Sequence, residues 1–285
     1  MRIEVLGAIK ALRGEDPVEL GGRKPRMLLA ALALHRGRPA SVDGLIDLVW
    51  GDAPPPSALQ TLHVYVADLR RALEPGRAPR TPAGTIVTAA PGYALRLPDD
   101  AFDVAIFDAA LAAAQSRLGE WTGAAGELPR PPALSAAELA ETIAALDRAL
   151  ALWRGTPYLE LDDAPAAVAE RTRLAELRTV ALEYRAVARL ALGEHATLAA
   201  ELEALTAEHP LRERLWMLRV LALAGSHRQA DALEALRQVR RVLADELGLD
   251  PGVALRELEG AVLRQDPALT WPPAVRPGVP GSGGT

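Results

Sequence analysis

The sequence predicts two domains of different class: an α+β winged helix-turn-helix domain, then an all-α domain of tetratricopeptide-like helix pairs. Three observations carry this expectation. Residues 57–93 read as one amphipathic helix feeding a tight β-hairpin. Residues 2–20 alternate short apolar runs with glycines. Past Asp99-Asp100 the chain becomes helix after helix, with glycine turns that recur. The boundaries so read are 1–98, 99–270 and a Pro/Gly-rich tail over 271–285, whose composition from Pro272 onward predicts disorder.

In order, Ile3–Leu6, Ile9–Leu12 and Val18–Leu20 read as strands broken by Gly7, Gly14 and Gly21-Gly22. A helix follows from Pro25 to His35, with Pro25 suited to the first helical position. A second runs from an N-cap at Ser41 to Trp50, burying Leu45, Ile46, Val49 and Trp50. Pro54-Pro55-Pro56 blocks any earlier start to the third helix, because proline restrains itself and its predecessor. Ser57 with Gln60 three residues on fits a capping box. Leu59, Leu62, Val66, Leu69 and Leu73 then form an apolar stripe at spacings of three and four. Pro75-Gly76 ends the helix, and the hairpin turns around Pro91-Gly92.

The face opposite that stripe carries Ser57, Gln60, Thr61, Val64, Ala67, Asp68 and Arg71. Gln60 can pair with an adenine edge, Thr61 and Val64 can meet thymine methyls, and Arg71 can hold a phosphate. Asp68 opposes phosphate unless Arg70 or Arg71 neutralises it. Periodicity alone does not separate this from an ordinary surface helix packed on a small core, and taken by itself it favours the latter.

Beyond residue 98, helices are expected near 103–118, 135–153, 165–192, 195–208, 211–224, 227–247 and 252–264. Ser135 and Glu138 have capping-box spacing. Pro165, Pro210 and Pro251 each open a helix. Asp99-Asp100 and Asp162-Asp163 read as capping pairs at helix starts. Residues 119–134 read as a flexible loop. Ala191-Leu-Gly-Glu-His195 recurs as Leu223-Ala-Gly-Ser-His227, 32 positions later, close to the period of about 34 residues that marks tetratricopeptide-like arrays. Such arrays stack helix pairs and present grooves to partners.

Composition narrows the function. The 285 residues include no cysteine, which excludes disulfides, thiolate metal sites and a cysteine nucleophile. No run reaches the ~18 apolar residues that a membrane span needs, and no signal peptide is visible, so a cytoplasmic chain without membrane contact is expected. Residues 1–98 hold 13 Lys/Arg against 9 Asp/Glu, and the remainder 19 against 28. A mildly basic first part joined to an acidic second part suits nucleic acid on one side and protein on the other. Enzyme signatures are missing: no phosphate-binding glycine loop and no G-x-S-x-G turn occurs. The five histidines, His35, His63, His195, His209 and His227, are scattered without metal-ligand spacing. No cofactor and no catalytic residue is expected. Trp153, Tyr158, Tyr184 and Trp216 could line a small-molecule site, but core packing accounts for them better.

Three stretches resemble an OmpR-type winged helix: Leu48-Val-Trp-Gly-Asp52 with its proline loop, Leu62–Leu73, and Ile86-Val-Thr with Pro91–Leu95. Leu150–Gly155, Glu208–Arg214 and Asp245–Gly252 resemble the bacterial transcriptional activation domain. Together they resemble the Streptomyces antibiotic regulatory protein family, pathway-specific activators of secondary-metabolite clusters, over residues 2 to about 267. Larger relatives add an ATPase or sensor domain, and this chain looks like the short form.

The resemblance implies a dimer on tandem direct repeats of double-stranded promoter DNA near the −35 region, with residues 57–73 in the major groove. It places groove contacts on Gln60, Thr61, Val64, Tyr65 and Asp68, phosphate or base contacts on Arg70 and Arg71, and Thr88 at the wing tip. Arg23, Lys24 and Arg26 at a helix start would reach phosphates. Loop residues Asp52, Ala53, Pro54, Pro55 and Pro56 match the loop that engages sigma factor region 4, while the helical domain would meet other RNA polymerase subunits. Where many relatives carry a wing arginine, this chain has Ala89-Ala90. The alternatives are a protein-interaction scaffold with a winged helix that does not read DNA, or a ligand-sensing regulator.

Overall fold

The computed structural model describes residues 1–78, 80–122, 127–161 and 164–271. The expected tail from Pro272, the pair Asp162-Asp163 and the loop centre at 123–126 lie outside them. The chain packs as two compact units: residues 1–110 with 149–178, and residues 111–148 with those from Thr179 onward.

The first unit opens with an antiparallel sheet in the order β1 (Arg2–Glu4), β2 (Lys10–Arg13), β3 (Asp16–Pro17). These strands are displaced by a residue or two from the apolar runs, and the third is Asp16–Pro17 rather than Val18–Leu20, although the Val18 amide still donates to Ala11 O of β2 at 2.8 Å. For β1 the cause is nonlocal. The amides of Val5 and Leu6 donate to the buried Asp103 carboxylate at 2.9 Å. Their carbonyls accept from Tyr158 at 2.8 Å and Arg154 at 2.7 Å. Backbone groups just past β1 are thus paired to segments 97 or more positions away, and β1 stops there. Burial raises the Asp103 pKa, although the amides of Leu6, Val5 and Val104 and the charge of Arg154 pull it down.

Helix α1 (Arg23–Leu34) begins two residues before the expected Pro25, with Gly22 at the N-cap. Pro25 is tolerated because first-turn amides have no intrahelical acceptor. Residues Met27–Ala33 are all buried, so this helix is apolar around its whole circumference. Helix α2 (Val42–Trp50) is capped as expected, with Ser41 Oγ accepting from the Gly44 amide at 3.1 Å. Leu45 and Val49 are buried, whereas Ile46 and Trp50 are only half-buried.

Helix α3 (Ala58–Leu73) follows the exposed loop Gly51–Ser57. Its buried residues are Ala58, Leu62, Val66, Leu69 and Leu73. Leu59, expected in that stripe, is 50% exposed. Its place is taken by Ala58, one residue earlier and on the other side of the stripe's axis. The capping box is also absent: Ser57 makes no side-chain cap, and its carbonyl accepts from Thr61 Oγ1 at 2.9 Å.

The hairpin forms as expected from β5 (Ile86–Ala89) and β6 (Gly92–Leu95) around a cis Ala90–Pro91 bond. A short strand that sequence reading missed, β4 (Ala40–Ser41), joins β6 to give the order β4-β6-β5. Gly92 makes that junction possible, since a Cβ there would run into the Ala40 carbonyl and lie 2.9 Å from the Val42 amide.

The helices α4 (Asp103–Leu118), α5 (Ala136–Leu150) and α6 (Pro165–Ala191) follow. Ser135 and Glu138 do form a reciprocal capping box, at 2.9 and 3.3 Å. Asp99 and Asp100 open a single 3-10 turn rather than an α-helix. In the second unit, α7 (His195–Glu208), α8 (Glu213–Gly225), α9 (Gln229–Leu247) and α10 (Val253–Leu263) pack successively, with α8 buried at Leu215–Leu218 and Val220–Leu223. Pro165 begins its helix, but Pro210 and Pro251 precede theirs by three and two residues. Glu183 is fully buried and pairs with Arg212 at 2.7 Å and Arg214 at 3.3 Å. The expected loop over 119–134 is anchored rather than loose at its described ends. Trp121 is buried under the Arg214 guanidinium, and Trp271 is buried with its indole N–H donating to Pro129 O at 3.3 Å. Trp271 therefore belongs to the folded unit, not to a tail.

Candidate nucleic-acid interface

α3 packs against α1 and α2 through its apolar stripe and against β5 along one flank. Its open face carries Leu59 and His63 and, beside them, a further strip. Gln60, Val64, Ala67, Asp68 and Arg71 are all exposed, and at about 100° per residue they fall within roughly one quadrant of the helix. Val64, in the interior of this sixteen-residue helix, is 52% exposed. Arg71 and Asp68 pair at 2.9 Å across one turn, both well exposed. A pair so exposed contributes little to stability and is readily exchanged for a phosphate.

The other expected site residues divide by location. Thr61 is half-buried, its hydroxyl turned back to Ser57 O. Tyr65 does not project: it is half-buried and stacks on Trp50 of α2, centroids 6.0 Å apart and planes at 9°. The Lys24 ammonium lies 4.9 Å from the centre of that same Trp50 ring. One ladder, Lys24–Trp50–Tyr65, thus links the first turn of α1, the end of α2 and the middle of α3. Arg23 and Lys24 are exposed at the α1 N-terminus, while Arg26 Nε donates to Gly21 O at 3.1 Å.

Arg70, expected at DNA, turns to the hairpin instead. Its Nε donates to Ile86 O at 2.8 Å, its Nη2 donates to Thr88 Oγ1 at 2.9 Å, and its guanidinium carbon lies 5.5 Å from the Tyr93 ring centre. Burial lowers its pKa, against the opposing charge of Tyr93 and Glu74. Thr88 is exposed in β5, two residues from the turn. His63, which the sequence reading left without a role, lies edge-on to Tyr93 at 6.3 Å. Asp52, Ala53, Pro54, Pro55 and Pro56 are all exposed between α2 and α3.

Three of the four aromatic residues that could line a ligand site belong to the core, and Trp153 is half-buried. Tyr158, Tyr184 and Trp216 are buried, and the Trp216 indole N–H donates to Pro210 O at 2.8 Å. Trp153 meets Phe107 edge-on at 5.5 Å, with the Arg178 guanidinium 5.3 Å from its ring. Among the described residues no cluster of three or more potential metal ligands occurs, and no helix is long and apolar enough to cross a membrane.

Comparison with known proteins matches both parts. Residues 15–95 match the family described as transcriptional regulatory protein, C terminal, and residues 130–263 match the bacterial transcriptional activator domain. Regulatory protein AfsR of Streptomyces coelicolor is 41% identical over 94% of this chain, which spans 25% of that protein. Regulatory protein DnrI of Streptomyces peucetius is 36% identical, with 94% of each chain covered. A structure of Mycobacterium tuberculosis EmbR in complex with a low-affinity phosphopeptide superimposes with a TM-score of 0.79 at 37% identity, covering 94% of this chain and 66% of that one. The chain is thus much shorter than AfsR and about the length of DnrI. With both family models matched in order along the chain and DnrI similar over almost its whole length, the chain belongs to the Streptomyces antibiotic regulatory protein family of transcriptional activators.

Proposed function

We propose that this protein binds tandem direct repeats near the −35 region of a promoter and recruits RNA polymerase, switching on a secondary-metabolite cluster from within the cytoplasm. The observation that carries the reading is the exposed strip Gln60–Val64–Ala67–Asp68–Arg71, which no described element covers within its unit. Gln60 offers the paired donor and acceptor that an adenine edge requires, and Val64 offers a methyl surface for thymine. Arg71 leaves Asp68 for a phosphate, while Asp68 accepts from a cytosine amine or remains at the groove edge. Thr61 and Tyr65 flank the strip and set its width. Arg23 and Lys24 add charge at the N-terminus of α1, where the helix dipole also favours a phosphate. The exposed loop from Asp52 to Pro56 meets sigma factor region 4, and the helical domain meets other polymerase subunits. The surplus of acidic residues after position 98 suits protein partners better than a second DNA contact.

Gln60→Ala and Arg71→Ala test the reading. On a duplex enriched by the protein from a random-sequence pool, Gln60→Ala is expected to cost about 1–3 kcal/mol and to relax the preference at one base. Arg71→Ala is expected to weaken binding to all sequences and to reduce the salt slope by about one unit. Both variants should keep the wild-type thermal midpoint. Unchanged DNA affinity in both would return the chain to the class of interaction scaffolds.

A further inference from the structure

We propose that Arg70 is a positioning residue that seats the β5–β6 wing against the recognition helix, rather than a contact to DNA. The inference rests on the DNA-binding reading above and divides two adjacent arginines between two tasks. Arg71 is 77% exposed at its side chain and, among the described residues, pairs with Asp68 across a turn. Arg70 lies about 100° away around the helix, on the flank that faces the hairpin, and it is engaged by both hairpin strands. On β5 it holds the Ile86 carbonyl and the Thr88 hydroxyl. On β6 it lies over the ring of Tyr93, which is the register partner of Thr88.

The chemistry requires arginine. Nε and one terminal nitrogen donate in parallel to acceptors two residues apart on one strand, while the flat face of the same group covers an aromatic ring. A lysine has a single point of charge and cannot make both donor contacts and the stack together. The acceptors and the ring all lie within the protein, and they use two of the donors that a phosphate contact would need. The wing itself has no charged side chain from Ile86 to Leu95. Whatever it contributes at the flanking groove therefore comes from shape and backbone, and depends on where it is held.

That absence of wing charge makes the proposal separable from a phosphate contact. Full-length Arg70→Gln, Arg70→Lys and Thr88→Val are measured against the duplex enriched from the random pool, with salt titration and hydroxyl-radical footprinting. The expected result is a loss of about tenfold for both Arg70 variants and about threefold for Thr88→Val, with the salt slope unchanged. Protection should fade only at the flank beside the wing. The Arg70→Gln and Thr88→Val losses should not multiply, because both break one contact set. Thr88→Val keeps a β-branched residue in the strand and so reports even if the Arg70 variants fold poorly. Wild-type affinity for Arg70→Lys, with the Arg70→Gln slope reduced by about one unit, would overturn the assignment and make Arg70 a phosphate contact. Failure of the wild-type chain to enrich any duplex would overturn the DNA-binding reading, and this assignment with it.

Discussion

Leu59 and Leu62 lie within one turn of each other on α3, yet only Leu62 is in the core. Leu62 is fully buried, while Leu59 is half exposed. The difference arises because the hairpin flanks α3 only along its later turns, leaving the first turn open on that side. Leu62→Ala should cost about 2–5 kcal/mol of folding free energy, the range for a buried leucine that leaves a cavity. Leu59→Ala should change stability by less than about 0.5 kcal/mol. Denaturant titration of the two variants checks this, and equal losses would place Leu59 in the core after all. The same scale separates Arg70 from Arg71 and Tyr65 from Gln60. Neighbours that a motif treats alike are here divided by which side of the helix another element covers.

Between elements, the junction of α3 with the hairpin is held at two points. Arg70 is one, and Glu74 at the helix end is the other. Glu74 Oε1 accepts from the Gly84 amide at 2.9 Å and from the Thr85 amide, while its other oxygen meets Arg77 at 3.3 Å. Burial raises the Glu74 carboxyl's pKa, but the bonds from Thr85 and Gly84 and the charge of Arg77 outweigh it and hold the group below its ordinary range. A carboxylate with a depressed folded pKa adds stability above its unfolded value of about 4.3, and this is lost as pH falls through the folded value. Glu170 is shifted the same way: burial is outweighed by Arg173 and Arg36. The thermal midpoint should therefore drop between about pH 5 and about pH 3, and Glu74→Gln should flatten part of that drop. An unaltered pH profile in Glu74→Gln would show that the junction does not depend on this carboxylate.

Much of this element layer is legible in the sequence, because local rules decide it. The N-cap at Ser41, the capping box at Ser135 with Glu138, the apolar stripe from Leu62 to Leu73 and the turn at Pro91-Gly92 all follow from spacing. What is not legible depends on partners distant in the chain. β4 exists because Ala40 and Ser41 meet Tyr93 and Gly92. β1 ends where it does because Asp103, Arg154 and Tyr158 take the next backbone groups. Arg70 turns toward the hairpin because Ile86 and Thr88 offer it acceptors. In the site itself the strip Gln60, Val64, Asp68 and Arg71 was readable from helical angle, whereas the ladder Lys24–Trp50–Tyr65 required the packing of three helices to be known.

For the whole molecule, the balance of charge bears most on binding. The basic surplus of residues 1–98 is small, the hairpin brings no cation, Arg70 is engaged internally, and Arg71 is shared with Asp68. One protomer therefore has few phosphate anchors, and its affinity for a single repeat should be weak. On the proposed function, two protomers on adjacent repeats about one helical turn apart would add their contacts on one face of the duplex. Gel-shift titration should show affinity for two repeats well above that for one, and equal affinities would remove the need for pairing.

The central claim is that the open face of α3 enters duplex DNA, and photo-crosslinking from single positions tests it most directly. A photoreactive side chain at position 64 in the strip is compared with one at position 263, where Leu263 is 61% exposed on α10. Under conditions where the protein shifts its enriched duplex, position 64 should crosslink to bases and position 263 should not. A shifted duplex with no crosslink from position 64 would mean that another surface holds the DNA.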